Sequence, residues 1–390
     1  MVVVTATVRS TQDSAPVRQP ARRDLTTMVM FGFNVDRLGK RRRPEWMNIA
    51  ILGVAFPGLS LWAVYRIFTT PTGLGLWALA AVLYAFTLLG VTMGNHRYWT
   101  HRGFKARLPL QLVLAVASAM SVEGDIQQWV TTHRTHHRHA DVIGLDTHSP
   151  YEYQAWHGLK GLLWAQGIWM MFDYADTTHR AVPHDLAANR LVQRQRKAFP
   201  VIAIGQYVLL LACYPVLGLN GVLIAGVLRT TVLMTSTGFV NSLCHRWGSR
   251  ARDSRGREYR RDDSRNNVLV AVLAGGEGNH SWHHVDPTCP RHGRQVDLDP
   301  EAVAAGVMRD RGWRPDVTWR AIQLLDRLGL IYDLKLPSRT IRFAPALCEP
   351  TPSLRDTHHE WRIPDPEPTI SPEPVPAGPS SSPGASQLRN

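Results

Sequence analysis

The chain has 390 residues and a formal net charge of +13, with 44 Lys and Arg against 31 Asp and Glu. That length suits one large domain with tails, and the basic excess, which no nucleic-acid motif accompanies, points to an anionic membrane face or an acidic protein partner. The four cysteines, Cys213, Cys244, Cys289 and Cys348, are scattered without a CxxC pair, which argues against a disulfide framework or a thiolate metal site and predicts reduced thiols.

Residues 1–45 are polar and basic, and the opening MVVV is too short for a signal-peptide core. Two uncharged apolar runs follow, at 46–65 and 72–94, each about as long as a bilayer is thick. A third spans 199–218, and a fourth, 221–241, carries the single charge Arg229. A charge inside a span is costly, so Arg229 is either functional or paired within the protein.

The connectors TTPTG and LGLN hold no Lys or Arg, whereas the N-terminal, middle and C-terminal segments are arginine-rich. The positive-inside rule puts those three segments on the cytoplasmic side. The expected fold is therefore all-α: an integral membrane protein with four transmembrane helices in two hairpins and a cytoplasmic helical cap. The shorter run LPLQLVLAVASAMSV at 108–122 fits an interfacial or re-entrant helix. From about 344 the chain is rich in Pro, Ser and Glu, as disordered tails are. The expected organisation is a basic tail at 1–45, a membrane domain at 46–343 and a disordered tail at 344–390.

Histidines cluster at the span ends and in the segments assigned to the cytoplasm. HRYWTH supplies His96 and His101, HRTHH supplies His133, His136 and His137, NSLCH supplies His245, and HSWHH supplies His280, His283 and His284. Two clusters share the spacing i, i+3, i+4, which puts three imidazoles on one helical face. His96 and His101 are about 140° apart on a regular helix and could serve two neighbouring centres. With four spans, every cluster emerges on one side of the membrane. Neutral imidazole suits Zn, Cu, Fe and Ni. Nine imidazoles exceed one tetrahedral zinc site and suit two adjacent ions. A lone histidine at an interface is usually a polar anchor, the reading given to His157, His179, His184, His292, His358 and His359. His139 and His148 lie off the helical face of the second cluster or beyond it.

These motifs, with WVTTHRTHHRHADVIGLDTHSP, FVNSLCHRWG and NNVLVAVLAGGEGNHSWHH, resemble the membrane fatty-acyl desaturases, and the stearoyl-CoA (delta-9) type in bacterial form above all. The resemblance runs from about residue 46 to 335. It implies a dioxygen-dependent desaturase with two iron ions held by His96, His101, His133, His136, His137, His245, His280, His283 and His284, with Asn241 touching the centre through water and no catalytic residue beyond the metal centre. It implies a fatty acyl thioester substrate, membrane lipid around the spans and an integral membrane location with the site and both termini cytoplasmic. Alternatives within the same chemistry are a di-iron hydroxylase of alkyl or acyl chains, and a desaturase acting on acyl carrier protein or phospholipid chains. The stretch Thr131-Thr132 departs from the charged pair that animal acyl-CoA desaturases carry there.

No GxGxxG fingerprint opens a helix, and neither a haem motif nor an iron–sulfur cysteine set is present. Electrons must then come from a separate donor, a flavin reductase with or without a ferredoxin, for which the basic run at 245–261 is a candidate dock. Tyr84 and Trp129 are assigned to the substrate tunnel. Tyr84 lies twelve positions before His96, about 18 Å along a helix, where a kinked acyl tail would end.

Overall fold

Apolar runs wind into helices because a backbone removed from water must satisfy its own N–H and C=O groups. The computed structural model describes residues 32–33, 42–153, 156–173, 182–251, 258, 262–293 and 315–335. Most of the basic tail, all of the tail expected from 344, and most of the basic run at 252–261 lie outside these residues, as do His179, His358 and His359.

In chain order the main helices are α1 (Trp46–Thr69), α2 (Leu74–Thr100), α3 (Leu108–Met120) and α4 (Ile126–His139). They continue with α5 (Leu159–Gln166), α6 (Arg190–Ala212), α7 (Tyr214–His245), α8 (Val268–Leu273), α9 (His280–Val285) and α10 (Val317–Arg327). Two short antiparallel strand pairs tie distant segments: β1 (Arg43–Pro44) with β3 (Phe172–Asp173), and β2 (Lys105–Ala106) with β4 (Ile331–Tyr332).

Three helices among the described residues, α1, α2 and α7, are long and apolar enough to cross a membrane, with 24, 27 and 32 residues. On α1 the apolar side chains Leu61, Trp62, Tyr65 and Phe68 point outward, Phe68 being 83% exposed. The third expected run is divided differently from its hydropathy. α6 opens with Arg190, Arg194, Arg196 and Lys197, so only its second half is uncharged, and it ends at Ala212. Tyr214 and Pro215 already begin α7, where a proline without an N–H fits the first turn. Gly218 then bends α7 with φ 60°.

α3 runs antiparallel to the end of α2. An added Cβ on Gly94 would meet Leu114, and one on Gly90 would come within 2.4 Å of the Ala117 backbone. A tight turn follows, with Val122 at φ 65° and Gly124 at φ 98°. The Asp125 side chain then caps α4 by accepting the Gln128 N–H at 3.0 Å. Met93, Trp99, Phe104, Leu114, Ile126 and Ile322 form a buried core where α2, α3, α4 and α10 meet. Cys213 and Cys244 are free thiols, as expected.

Candidate metal centre

The end of α2, the middle of α4, the end of α7 and the whole of α9 converge. From Gly90 to Thr100, α2 loosens into π-helical winding around His96, a feature that recurs at functional sites. The nine histidines of the boxes collect into two groups. In each group the candidate ligand atoms lie within 4.8 Å of one another: His96, His101, His133, His137 and His283 in one, His136, His245, His280 and His284 in the other. The groups adjoin, with the His137 and His284 rings 4.4 Å apart.

Each HxxHH box is divided between the groups. On α4 the i and i+4 members, His133 and His137, join the first group and His136 the second; on α9 His280 and His284 join the second and His283 the first. Positions i+3 and i+4 are about 100° apart around a helix, enough for one helix to serve two centres. His96 and His101, whose spacing suggested two centres, fall in one group. His101 stands in the helix's final turn, where its N–H bonds to the His96 carbonyl, so the 140° offset does not apply.

Within the groups the imidazoles face one another through Nε2. His96 meets His283 at 3.0 Å, His283 meets His137 at 2.9 Å and His137 meets His133 at 3.1 Å. In the second group His245 meets His280 at 3.0 Å and His136 meets His284 at 3.3 Å. Four of these rings turn Nδ1 to a carboxylate: His96 to Glu277 at 2.5 Å, His136 to Asp146 at 2.8 Å, His245 to Asp141 at 2.9 Å and His284 to Asp262 at 2.8 Å. A carboxylate that accepts the Nδ1 proton leaves a lone pair on Nε2. Converging lone pairs repel unless a cation lies among them. The buried, unpartnered Nε2 of His101 and Nδ1 atoms of His280 and His283 give the same donor-rich picture. This donor set fits divalent transition metals that take nitrogen.

Electrostatics favour neutral, ligating rings at most of the nine histidines, whereas at His245 burial is outweighed by the Asp141 carboxylate, which pushes the ring up to about 9. Burial, reinforced by the neighbouring imidazoles, pushes His101, His133, His137, His280 and His283 well below the ordinary histidine value. The carboxylates go the other way. Burial alone would raise Asp146, Asp262 and Glu277, but the facing imidazoles hold all three below the usual range, with Arg97 adding to the effect on Glu277.

Sequence reasoning missed this ring of carboxylates. Asp141 and Asp146 come from the loop after α4, Asp262 from the loop before α8, and Glu277 from the GEGNH stretch before α9. Their signal was proximity to the boxes. Two further histidines were also passed over. His148 Nδ1 lies 3.6 Å from Asp146 and its ring 4.6 Å from His136. His292, read as an interfacial anchor, is 1% exposed, packs with its ring centroid 4.3 Å from that of His283 and meets Glu277 at 3.2 Å. His157 and His184 are exposed, as polar anchors would be.

Asn241 is half-buried on α7, about one turn before His245. Trp129 stacks on His133 with centroids 4.9 Å apart, and its Nε1 donates to Glu123 at 3.2 Å. The Tyr84 hydroxyl donates to the Leu273 carbonyl at 2.8 Å and lies 3.1 Å from Ser236 Oγ, bridging α2 to α7 and α8. Arg229 is buried and paired within the protein.

The family model for fatty acid desaturases matches residues 71–295. Over 268 residues the chain is 33% identical to a probable acyl-CoA desaturase of Schizosaccharomyces pombe, covering 67% of this chain and 52% of that one. It is 30% identical to stearoyl-CoA desaturase 2 of Mus musculus over 308 residues, 75% of each chain. It is 32% identical to an sn-2 palmitoyl-lipid 9-desaturase of a Nostoc species over 306 residues, 77% of this chain and 93% of that one. The chain thus spans about half the length of the yeast relative and most of the cyanobacterial one. The match covers both box-bearing halves and brings with it the spacing that gathers the imidazoles, and on these grounds the chain belongs to the fatty acid desaturase family, whose members are membrane-bound oxidoreductases.

Proposed function

We propose that this chain is a dioxygen-dependent desaturase that introduces a cis double bond at the delta-9 position of a long saturated acyl-CoA, at a di-iron centre. The observation that carries the reading is the pair of adjoining all-imidazole groups whose Nε2 atoms converge, four of the rings resting their outer nitrogen on a carboxylate. His96, His101, His133, His137 and His283 would hold one iron and His136, His245, His280 and His284 the other, with Asn241 reaching the centre through water. A bound iron pair supplies dioxygen activation and hydrogen removal from unactivated carbon. The balance is one CH2–CH2 unit, one dioxygen, two electrons and two protons giving one CH=CH unit and two waters.

The chain's own residues do the rest. Neutral imidazoles leave the ion pair its positive charge, and Asp141, Asp146, Asp262 and Glu277 fix the ring tautomers. Burial of the site keeps bulk water from the reaction. An acyl chain has no functional group to mark one carbon, so position must be set by distance. Trp129, beside His133, would flank the reacting carbons, and Tyr84 would close the far end of the tunnel.

The membrane reading adds α6 as the fourth crossing beside α1, α2 and α7. The uncharged connectors and arginine-rich flanks support placing the site and both termini in the cytoplasm. The catalytic domain would be 46–343. Electrons would come from a flavin reductase, with or without a ferredoxin, since the sequence has no fingerprint for a cofactor of its own.

A second reading concerns the carrier. Thr131 and Thr132 are both buried and offer no charge to a CoA head group, and one relative is named for a lipid-linked substrate. One experiment tests all of this: expression in a host lacking unsaturated acyl chains, followed by mass-spectrometric location of any new double bond in the acyl-CoA, acyl-carrier-protein and phospholipid pools. A hydroxylated product, or none with reductase and ferredoxin co-expressed, would sink the desaturase reading. Full turnover by the purified chain with NADPH and oxygen alone would remove the need for a donor.

A further inference from the structure

Arg229 lies inside α7, is 4% exposed, and no carboxylate among the described residues pairs with it. All three nitrogens of its guanidinium nonetheless donate hydrogen bonds. Nη2 donates to Gln206 Oε1 on α6 at 2.6 Å, Nε to the Ala225 carbonyl at 3.2 Å, and Nη1 to Thr87 Oγ1 on α2 at 3.1 Å. Nη1 also approaches the Met120 carbonyl at 3.5 Å, and Gln206 Nε2 donates to that same carbonyl at 3.1 Å.

Met120 is the last residue of α3. Carbonyls at a helix C-terminus lack intrahelical partners and carry the negative end of the helix dipole. They are the counter-charge that Arg229 otherwise lacks, and a permanently protonated guanidinium with several fixed donors suits them. Two residues further on, Val122 has φ 65°, a costly conformation for a β-branched side chain that persists only when its surroundings impose it. The turn is held from both sides. Before it, Arg229 and Gln206 grip Met120. After it, Glu123 accepts the Thr237 hydroxyl at 2.7 Å and the Trp129 indole at 3.2 Å. Trp129 in turn stacks on His133.

We propose that Arg229 is a positioning residue: by clamping the C-terminal end of α3 it sets the strained turn, and through it the place of Trp129 against the His133 imidazole. Resting on the desaturase reading, the same clamp fixes where the acyl chain stands relative to the site and hence the fidelity of the double-bond position.

The test uses the full chain in lipid nanodiscs, with the variants Arg229→Met, Arg229→Lys and Gln206→Leu. Amide hydrogen exchange reads the clamp without any turnover. In Arg229→Met and Gln206→Leu, peptides covering 119–129 should exchange about tenfold faster while peptides from α1 stay unchanged. Arg229→Lys, which keeps the charge, should restore part of the protection. In turnover assays with a donor, Arg229→Met should scatter the double bond over neighbouring positions where the parent gives one. Exchange that is unchanged, or raised uniformly along the chain, overturns the clamp. So does an unaltered product from a variant whose turn has loosened. If the parent itself makes no unsaturated product while the exchange rise stays local, the clamp on the turn stands and the desaturase reading falls.

Discussion

His136 and His284 meet Nε2 to Nε2 at 3.3 Å although 148 residues separate them, and each rests its Nδ1 on an aspartate at 2.8 Å. The two aspartates are themselves held. Asp146 accepts the Asp141 N–H at 3.0 Å, and Asp262 accepts the Ser264 N–H at 3.0 Å. The rings are therefore aimed from behind, by protein, toward the point where their lone pairs converge.

That aim gives the first prediction. Asp146→Asn or Asp262→Asn keeps the size of the side chain but can present an N–H to Nδ1, which favours the other tautomer and protonates Nε2. Metal affinity should fall about 10–100-fold. The check is iron retained per chain during dialysis against graded chelator, with two irons per active parent chain as the expected starting point. Parent-like retention in both variants would show that the aspartates do not aim the ligands.

The histidines were legible in the sequence because three boxes at fixed spacing leave a regular mark. Their partition was not, since spacing gives angles on one helix and says nothing of how two helices oppose. Asp141, Asp146, Asp262 and Glu277 come from loops without periodicity, so only folding brings them behind the rings. The division of the 199–218 run escaped for another reason: hydropathy averages over Pro215 and Gly218, whereas the backbone does not. Arg229 drew notice as a charge in an apolar run, but two of its acceptors are the backbone carbonyls of Ala225 and Met120, and a backbone carbonyl leaves no residue type to read.

Gly90 carries a second prediction. An added Cβ would lie 2.4 Å from the Ala117 carbonyl carbon and 2.5 Å from the Ser118 nitrogen, backbone atoms that cannot turn aside. Gly90→Ala must push α3 from α2 and should cost about 1–3 kcal/mol. Thermal unfolding in detergent checks it, with Gly75→Ala as the control, since a Cβ there meets nothing within 4 Å. Equal melting of the two variants would mean the contact relaxes freely.

Tyr84 carries the third. Its hydroxyl joins α2 to Ser236 of α7 and to the Leu273 carbonyl of α8, so its side chain closes the space between those helices. If the acyl tail runs there, Tyr84→Ala opens the floor. Preference should shift toward longer chains with no change in the double bond's distance from the carboxyl end. Competition among sixteen-, eighteen- and twenty-carbon substrates reads this directly, and a parent-like profile places the floor elsewhere.

Glu123 carries the last. Burial pushes its carboxyl up to about 7, against the opposing hydrogen bonds from Thr237 and Trp129. The unfolded value is the ordinary 4.5, so the folded chain holds a proton that the unfolded chain has released. A raised folded value contributes stability that is fully present below the unfolded value and is lost as pH rises through the folded one. Stability from this group should therefore decline between about pH 4.5 and 7, by at most about 1.4 kcal/mol per pH unit. Glu123→Gln keeps an acceptor for Thr237 or Trp129 and removes the titration. Melting temperatures of parent and variant at pH 5, 6, 7 and 8 should converge or cross as the parent loses this contribution, the variant's curve being the flatter. Parallel curves would mean that Glu123 is ionised throughout, and that its two donors outweigh its burial.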